Sequence, residues 1–551
     1  MRIHPNRPGQ TSVLLKLFLL LLSLPVCAIA QSPVGDVVGQ VTLGYQGWFS
    51  AGEPSPPDNI SWDHWTYNSQ YPTPGAVNNF VNKQWPDMRP YQTLAGDNPM
   101  QYATGYGKFG NGLPATLFTS YNRDVVDIHM KWVAKYGIHT LAIGRFNPTG
   151  GTAATVTAAN VLATAPKYGV KFYISYDLSG WTGYTTQLPN DWTNVIEGQL
   201  HMTSSPNYAR QNGKPVVELW IANLVPHTTP QEMAGIISWL ENQGLYVILG
   251  VEQGWRANDT WVSTYMTGNM IQPWMIGVIG NKNDTDGFVS KWKDDVAYAN
   301  GHSVDFQAAI LPGDDSASAP QRRHGDFMWE QFANATTAGV KSAFISMYDE
   351  FGEGNAVMPT AEDASMTPGV TAALDVDGTH CSSDYYMRLT GDGGKMLQGL
   401  VPLTYTRSTQ PVIPVRNLVP GTIVTFQAMA NGMNVTAENA GAGSLVANRT
   451  AVGSWEGFQV VDAGGGNIAL KSLANNLFVT AEDGGNQPLI ANRAAIGPWE
   501  TFTEFNTLEG NTALLAKANG RYVTADEAGS SPLIANRTAV GPWETLIVTM
   551  H

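Results

Sequence analysis

Asp124-Val125-Val126-Asp127-Ile128-His129-Met130-Lys131-Trp132-Val133-Ala134-Lys135-Tyr136-Gly137-Ile138-His139-Thr140-Leu141-Ala142-Ile143-Gly144-Arg145-Phe146 is the stretch on which the fold turns. Its first half places Val125, Ile128, Trp132 and Val133 at helical spacing and ends at Gly137, a residue suited to closing a helix. The second half, 139–146, is a nearly continuous apolar run, as expected of a strand covered on both faces. The same alternation extends in both directions. Strands are expected at 41–49, 139–146, 170–178, 215–221, 246–252, 270–279, 305–311 and 342–348. Helices at 124–136, 158–165, 230–243, 287–298 and 327–338 serve as crossovers. Eight strands alternating with helices predict an α/β fold of the (β/α)8 TIM-barrel type, in preference to a doubly wound open sheet.

Composition narrows the function. Of 551 residues 43% are hydrophobic and only 14% charged, so the chain can bury a large core. Lys and Arg number 31 against 45 Asp and Glu, a net charge of −14. Residues 1–30 hold only Arg2, Arg7 and Lys16, so without them the balance is 28 against 45, or −17. That sign disfavours nucleic acid as a partner. The 17 Trp, 21 Tyr and 18 Phe supply flat apolar faces with polar handles, which suit the C–H faces and hydroxyls of sugars.

The first 30 residues carry the features of an export signal: positive charge without acid, the apolar run 17–24, Pro25, and the small residues Ala28-Ile29-Ala30. Cleavage is expected near Ala30, giving a secreted (extracellular or periplasmic) protein. No later stretch reaches 18 apolar residues, so no membrane insertion is expected. After cleavage Cys381 stands alone, and stability must come from packing rather than an intramolecular disulfide. Sequons begin at Asn59, Asn258, Asn283, Asn334, Asn434, Asn448 and Asn536.

The C-terminal quarter repeats. Ala447-Asn448-Arg449-Thr450-Ala451-Val452-Gly453-Ser454-Trp455-Glu456 aligns without a gap on 491–500 and 535–544. Trp455, Trp499 and Trp543 recur at one spacing, as do Val435, Val479 and Val523, each before Thr-Ala. Short apolar strands between Gly/Asn/Asp turns fill each unit. A propeller needs at least four blades, so three units predict a β-trefoil over 417–551. The repeated Trp-Glu and Asn-Arg are expected as structural pegs, with ligand binding in the less regular loops 439–444, 483–487 and 526–531. The Pro-containing segment 401–416 reads as the linker after a barrel domain spanning 31–400.

In a (β/α)8 barrel the chemistry sits at the C-terminal ends of the strands. Those tips hold Tyr45, Gln46, Trp48, Arg145, Tyr176, Asp177, Glu218, Trp220, Glu252, Trp255, Trp274, Tyr348 and Asp349, taken as candidate substrate-binding residues. The connection 50–122, with Trp62, His64, Trp65, Trp85, Tyr91, Tyr102 and Tyr106, is long enough to act as a wall or lid. Tyr348-Asp349-Glu350-Phe351-Gly352-Glu353-Gly354-Asn355 brings three carboxylates into five residues at the end of the eighth strand. Like charges so close favour a split of protonation states, which supplies the acid and the base that glycoside hydrolysis uses.

Gly44-Tyr45-Gln46-Gly47-Trp48-Phe49, Trp62-Asp63-His64-Trp65, Trp85-Pro86-Asp87, Val126–Trp132 with Tyr136-Gly137-Ile138, and the segment 348–354 resemble glycoside hydrolase family 99-like proteins over residues 40–360. The C-terminal repeats resemble the fascin-like trefoils attached to secreted carbohydrate-active enzymes. The first resemblance implies a retaining endo-acting enzyme on α-mannan-type polysaccharide or glycan, with Glu350 as base and Glu353 as acid. It further implies that the base deprotonates the sugar 2-hydroxyl, which attacks the anomeric carbon to give a 1,2-anhydro intermediate. The chain carries Tyr-Asp before the first Glu and Phe after it, where characterised mannosidases usually have Asn-Glu-Trp. An α-1,3-glucanase-like hydrolase and a non-catalytic carbohydrate-binding protein are the alternatives.

Other motifs carry less. The glycine pattern 105–110 follows no strand, and 281–287 is half a calcium loop without its closing Glu. His129 falls among core positions of its helix. No metal and no cofactor is expected, and the sequence does not indicate an oligomeric state.

Overall fold

In the computed structural model, residues 31–551 are described except 53–54, 75–81, 92–98, 148–150, 223–226, 258, 281, 314–320, 413–417, 508–510 and 539. The expected export signal therefore lies outside the described residues.

Eight parallel strands close on themselves. They are β1 (Val41–Tyr45), β2 (Thr140–Phe146), β3 (Lys171–Asp177), β4 (Lys214–Trp220), β5 (Tyr246–Glu252), β6 (Met270–Trp274), β7 (Asp305–Phe306 and Ala308–Ile310) and β8 (Ala343–Ile345). Each pairs in parallel with the next, and β8 pairs with β1 to complete the ring. Only β7 is interrupted. Its first piece pairs with β6 and its second with β8, and the Gln307 amide between them still donates to the Ile271 carbonyl at 3.0 Å. An open doubly wound sheet would leave two edges here, so the fold is a (β/α)8 barrel.

Among the described residues eight α-helices surround it: α1 (Arg123–Lys135), α2 (Ala153–Thr164), α3 (Tyr184–Asp191), α4 (Pro230–Asn242), α5 (Asp259–Tyr265), α6 (Lys282–Gly301), α7 (Asp326–Thr337) and α8 (Tyr385–Leu397). Asn122 caps α1 by accepting from the Asp124 amide at 2.8 Å, and Thr229 with Glu232 forms a capping box on α4. Sequence periodicity predicts neither α3, α5 nor α8. The helix α3 contains Pro189 and α8 contains three glycines, so neither has the composition of a strong helix former; packing decides. Asn334 is buried in α7 and bonded to Thr285 and Asp286, which closes that sequon in the folded protein.

The expected linker is a strap as far as residue 412. The Trp329 indole donates to the Thr404 carbonyl (3.0 Å), Tyr405 to Asn334 (3.1 Å), Arg407 to Asp326 (2.8 Å) and Thr409 to Asp392 (2.8 Å). These bonds fix the strap to α7 and α8.

Beyond it, twelve antiparallel strands among the described residues, β9 (Ile423–Ala428) through β20 (Leu546–Met550), form an all-β trefoil with its own core. The first strand pairs with the last, Val424 to Met550 through Ala428 to Leu546. The repeated glutamates are its pegs. Glu456, Glu500 and Glu544 are buried, and each accepts from a Thr hydroxyl (Thr436, Thr480, Thr524) and from a Gly amide (Gly453, Gly497, Gly541). Closure passes from unit to unit through Gly441, Gly485 and Gly529. All three have positive φ and lie against Asn475, Asn519 and Asn431 of a neighbouring unit, where a Cβ would collide. The tryptophans beside the pegs do not share the core: Trp455 and Trp499 are 37% and 38% exposed.

Candidate active site

The catalytic candidates follow β8 at the C-terminal end of the barrel, where all eight parallel strands point. Asp349 is fully buried and accepts from the backbone amides of Gln46 and Gly47, both at 2.8 Å. Gly47 has φ +58°, a conformation in which a side chain would meet Thr157, so the loop after β1 can present both amides only with glycine there. Asp349 thus ties the tip of β1 to the tip of β8. Gln46, held this way, donates from Nε2 to Glu350 Oε2 at 2.7 Å.

Glu350 is half-buried. Its other oxygen accepts from the Glu353 backbone amide at 3.2 Å. Burial raises the Glu350 carboxyl above its usual range, and the negative charge of Glu353 adds to this, against the bonds from the Glu353 amide and Gln46. Burial likewise pushes Asp349 up to about 7, opposed by the two amides it binds. Glu353 is exposed and accepts from Asn355 Nδ2 at 3.2 Å. The Phe351 ring between the two glutamates packs into a buried cluster with Phe49, Trp65 and Phe118, which anchors the loop from below.

Aromatic rings border the mouth. Trp48 stacks on His64 at 3.9 Å with the planes 3° apart and leans on Phe146 at 4.8 Å. Burial lowers the His64 pKa, with Asp63 pulling the other way. Trp220 and Trp274 meet edge to face at 5.4 Å, and Trp274 lies 6.2 Å from Phe344. These three come from β4, β6 and β8, a layer supplied by alternate strands. Asp177 and Glu252 end β3 and β5 half-buried, Glu252 accepting from Tyr265 at 3.3 Å. The indole N–H groups of Trp48 and Trp220, and the side-chain carbonyls of Gln46 and Asn82, are buried with no partner among the described residues. Buried polar atoms seldom remain so, and hydroxyl-rich ligands satisfy such groups.

Six of the expected substrate-binding residues lie elsewhere. Tyr45 and Tyr348 pack behind the sheet against His129 of α1, with the Tyr45 hydroxyl 3.0 Å from His129 Nδ1. Tyr91 takes the other ring nitrogen at 2.8 Å, and burial lowers this histidine to about 3, so it is a neutral core residue. Arg145 and Tyr176 both bind Asp191 at the end of α3, at 2.7 and 2.6 Å. Trp255 is buried against Tyr298 of α6, and Asp349 is the tie described above. For Tyr45, Arg145 and Tyr176 the reason is parity, since successive side chains on a strand face opposite sides; Tyr348, Asp349 and Trp255 follow the ends of their strands and are placed by the loops. Glu218 does face inward but lies two residues below Trp220, bonded by Tyr173 at 3.2 Å. Burial pushes it up to about 7, while bonds from Ser175 and Tyr173 pull it down.

Sequence reasoning missed Arg322. This buried residue donates from Nη2 to the carbonyls of Gly354 (2.7 Å) and Ala356 (2.6 Å) and to Gln84 (3.1 Å), and from Nε to the Gly313 carbonyl (3.0 Å). Its guanidinium lies 4.3 Å from the Tyr386 ring centroid. It therefore clamps the far side of the loop that carries both glutamates. An arginine next to another arginine in a polar stretch gives no sign of this. His64 and Phe146 were also missed as ring partners of Trp48. The discounted glycine pattern lies mostly in the hairpin strand Gln101–Lys108.

The chain matches no protein-family model and no curated protein in sequence. Among solved structures it is similar to the GH99 endo-alpha-mannosidase from Bacteroides thetaiotaomicron, at 15% identity over 66% of this chain and 98% of that one, with a TM-score of 0.48. The same enzyme in complex with BIS-TRIS-propane gives 14% identity and a TM-score of 0.49 at the same coverage. The Macrolepiota procera ricin B-like lectin in complex with lactose is similar at 12% identity over 24% of this chain and 97% of that one, TM-score 0.21.

Proposed function

We propose that this chain is a secreted, retaining, endo-acting glycoside hydrolase on α-mannan-type polysaccharide or glycan. The observation that carries the proposal is Glu350, half-buried at the C-terminal mouth of a closed parallel barrel, with Glu353 three residues on and its carboxylate held by Gln46. Glu350 acts as the base. Its raised proton affinity suits it to take the 2-hydroxyl proton as that oxygen attacks the anomeric carbon. Gln46 fixes its orientation through the bond to Oε2. Glu353 acts as the acid and protonates the departing glycosidic oxygen; its exposed position lets it meet a leaving group that extends out of the mouth. The 1,2-anhydro sugar formed is then opened by water with the two roles reversed. An α-manno unit sets the 2-hydroxyl trans to the leaving group whereas an α-gluco unit sets it cis, which is why α-mannan is preferred over α-glucan as the substrate class.

Release of reducing ends from a panel of α-mannans and α-1,3-glucans tests this. New reducing ends from α-mannan with retained anomeric configuration support the proposal. Products from α-1,3-glucan alone reassign the substrate, and binding without products assigns a carbohydrate-binding role. Export belongs to the same proposal, and sequencing the N-terminus of the mature protein, expected at Gln31, tests it.

A further inference from the structure

A cavity of about 660 Å³ lies between barrel and trefoil, away from the catalytic glutamates. Its barrel wall includes Phe109 and Leu113 of the hairpin region and Met366; Met429, Pro542 and Trp543 line it from the trefoil. Asn111 and Arg537 supply polar edges, while Gln101 is held by the Tyr91 carbonyl and the Thr116 hydroxyl. The hairpin belongs to the β1–α1 connection and Met366 to the β8–α8 connection, so the cavity shares the barrel end that carries the catalytic loop.

The trefoil's threefold repeat isolates what is special about this place. Trp455, Trp499 and Trp543 occupy equivalent positions, but the first two face solvent while the third faces the barrel across the cavity. The loop of the third unit is docked: Arg89 donates to the Val540 carbonyl at 3.3 Å, and Val540 is 9% exposed where its equivalent Val452 is 53% exposed. The two domains meet around Trp543 and leave a space in front of it, within the roughly 300–1,000 Å³ usual for ligand sites, which favour domain interfaces.

The chemistry of the wall selects the ligand. Both arginines are already neutralised, Arg89 by Asp87 and Glu362 at 2.6 Å each and Arg537 by Asp526 at 2.8 Å, so no net charge is offered to an anion. A wholly apolar molecule would leave the edges of Asn111 and Arg537 facing hydrocarbon. A neutral ring with a C–H face and a hydroxyl rim matches both an indole platform and polar edges. The geometry points to a second saccharide-binding site, built jointly by barrel and trefoil around Trp543, that takes a short segment of neutral polysaccharide. This inference does not rest on the catalytic reading.

Isothermal titration of full-length Glu350→Gln protein with α-mannan and α-1,3-glucan tetrasaccharides tests it. At least one of the two is expected to bind. Trp543→Ala, and independently Leu113→Trp, which fills the cavity and leaves the repeat intact, are each expected to weaken one binding event by tenfold or more. Trp455→Ala, at the equivalent exposed position, is expected to leave that event unchanged, as is Trp48→Ala at the barrel mouth. No saccharide binding beyond that removed by Trp48→Ala, or unchanged affinity in Leu113→Trp, overturns the proposal. So does displacement of a bound apolar dye from the cavity by alkanols but not by either tetrasaccharide. Loss of hydrolysis in Glu350→Gln bears only on the catalytic reading, so the two can fail separately.

Discussion

The barrel and the trefoil solve closure in opposite ways. The trefoil repeats one device three times: a buried Glu accepting from a Thr hydroxyl and a Gly amide, and a positive-φ glycine against the next unit's Asn. The barrel closes with eight different strand tips, and no two carry the same residue pair. A side-chain tie across the β8–β1 seam, Asp349 to the amides of Gln46 and Gly47, also orients a catalytic candidate. Repetition in this chain marks what the fold needs to close, and singularity marks where chemistry can reside.

The strongest way to break that comparison is at Glu350. Glu350→Gln is expected to lower kcat by about 10²–10⁴-fold, the usual scale for removing a general base, with the trefoil unchanged by circular dichroism. Glu353→Gln is expected to cost a similar factor on natural glycans but far less on aryl glycosides with activated leaving groups. Equal and small losses from both changes remove these residues from the chemistry.

Next in size is Arg322→Lys, which keeps the charge and loses the fork that reaches two carbonyls and Gln84. A loop displaced by an ångström costs about 10²-fold. A fall of roughly that size in kcat with little change in KM is expected, and an unchanged kcat would show that the clamp is dispensable.

In the trefoil the prediction is one of sameness. Glu456→Ala and Glu500→Ala each strand a buried Thr hydroxyl and a Gly amide, and each is expected to destabilise the domain by about 1–3 kcal/mol. Urea unfolding followed by tryptophan fluorescence measures this. Effects that differ widely between the two would mean that the units are not equivalent.

The remaining prediction concerns pH. Glu218 has a folded-state pKa of about 7, above the unfolded value of about 4.3, so the folded state holds the extra proton between those limits. Its contribution to stability is full below about pH 4 and is lost as pH rises through about 7. Glu218→Gln is expected to flatten the decline in Tm over that window. An unaltered slope would show that Glu218 does not titrate there.

Much of this was legible in one chain. Apolar runs located all eight barrel strands, because strands covered on both faces need continuous hydrophobicity. The interruption of β7 at Gln307 and the early ends of β1, β6 and β8 were not, since a run's length does not reveal where pairing stops. The helix α8 was not legible because its glycines Gly391, Gly393 and Gly394 pack against Tyr136, Phe332 and Val41, a role invisible without those neighbours. Among tip residues, Trp220, Trp274, Glu252 and Asp177 lie in the mouth, while Tyr45, Arg145, Tyr176 and Tyr348 face the helices.

The sequence by itself determined the order of the elements, the threefold repeat and the placing of Glu350 and Glu353 directly after the eighth strand, because periodicity and spacing are local properties of the chain. Only the tertiary structure decided which face each tip residue takes, that Arg322 grips the loop of Glu350 and Glu353 from a distant part of the chain, and that one of three identical tryptophans looks onto the barrel. Those are matters of strand register and domain docking, and both depend on contacts between residues far apart in sequence, which no local pattern encodes.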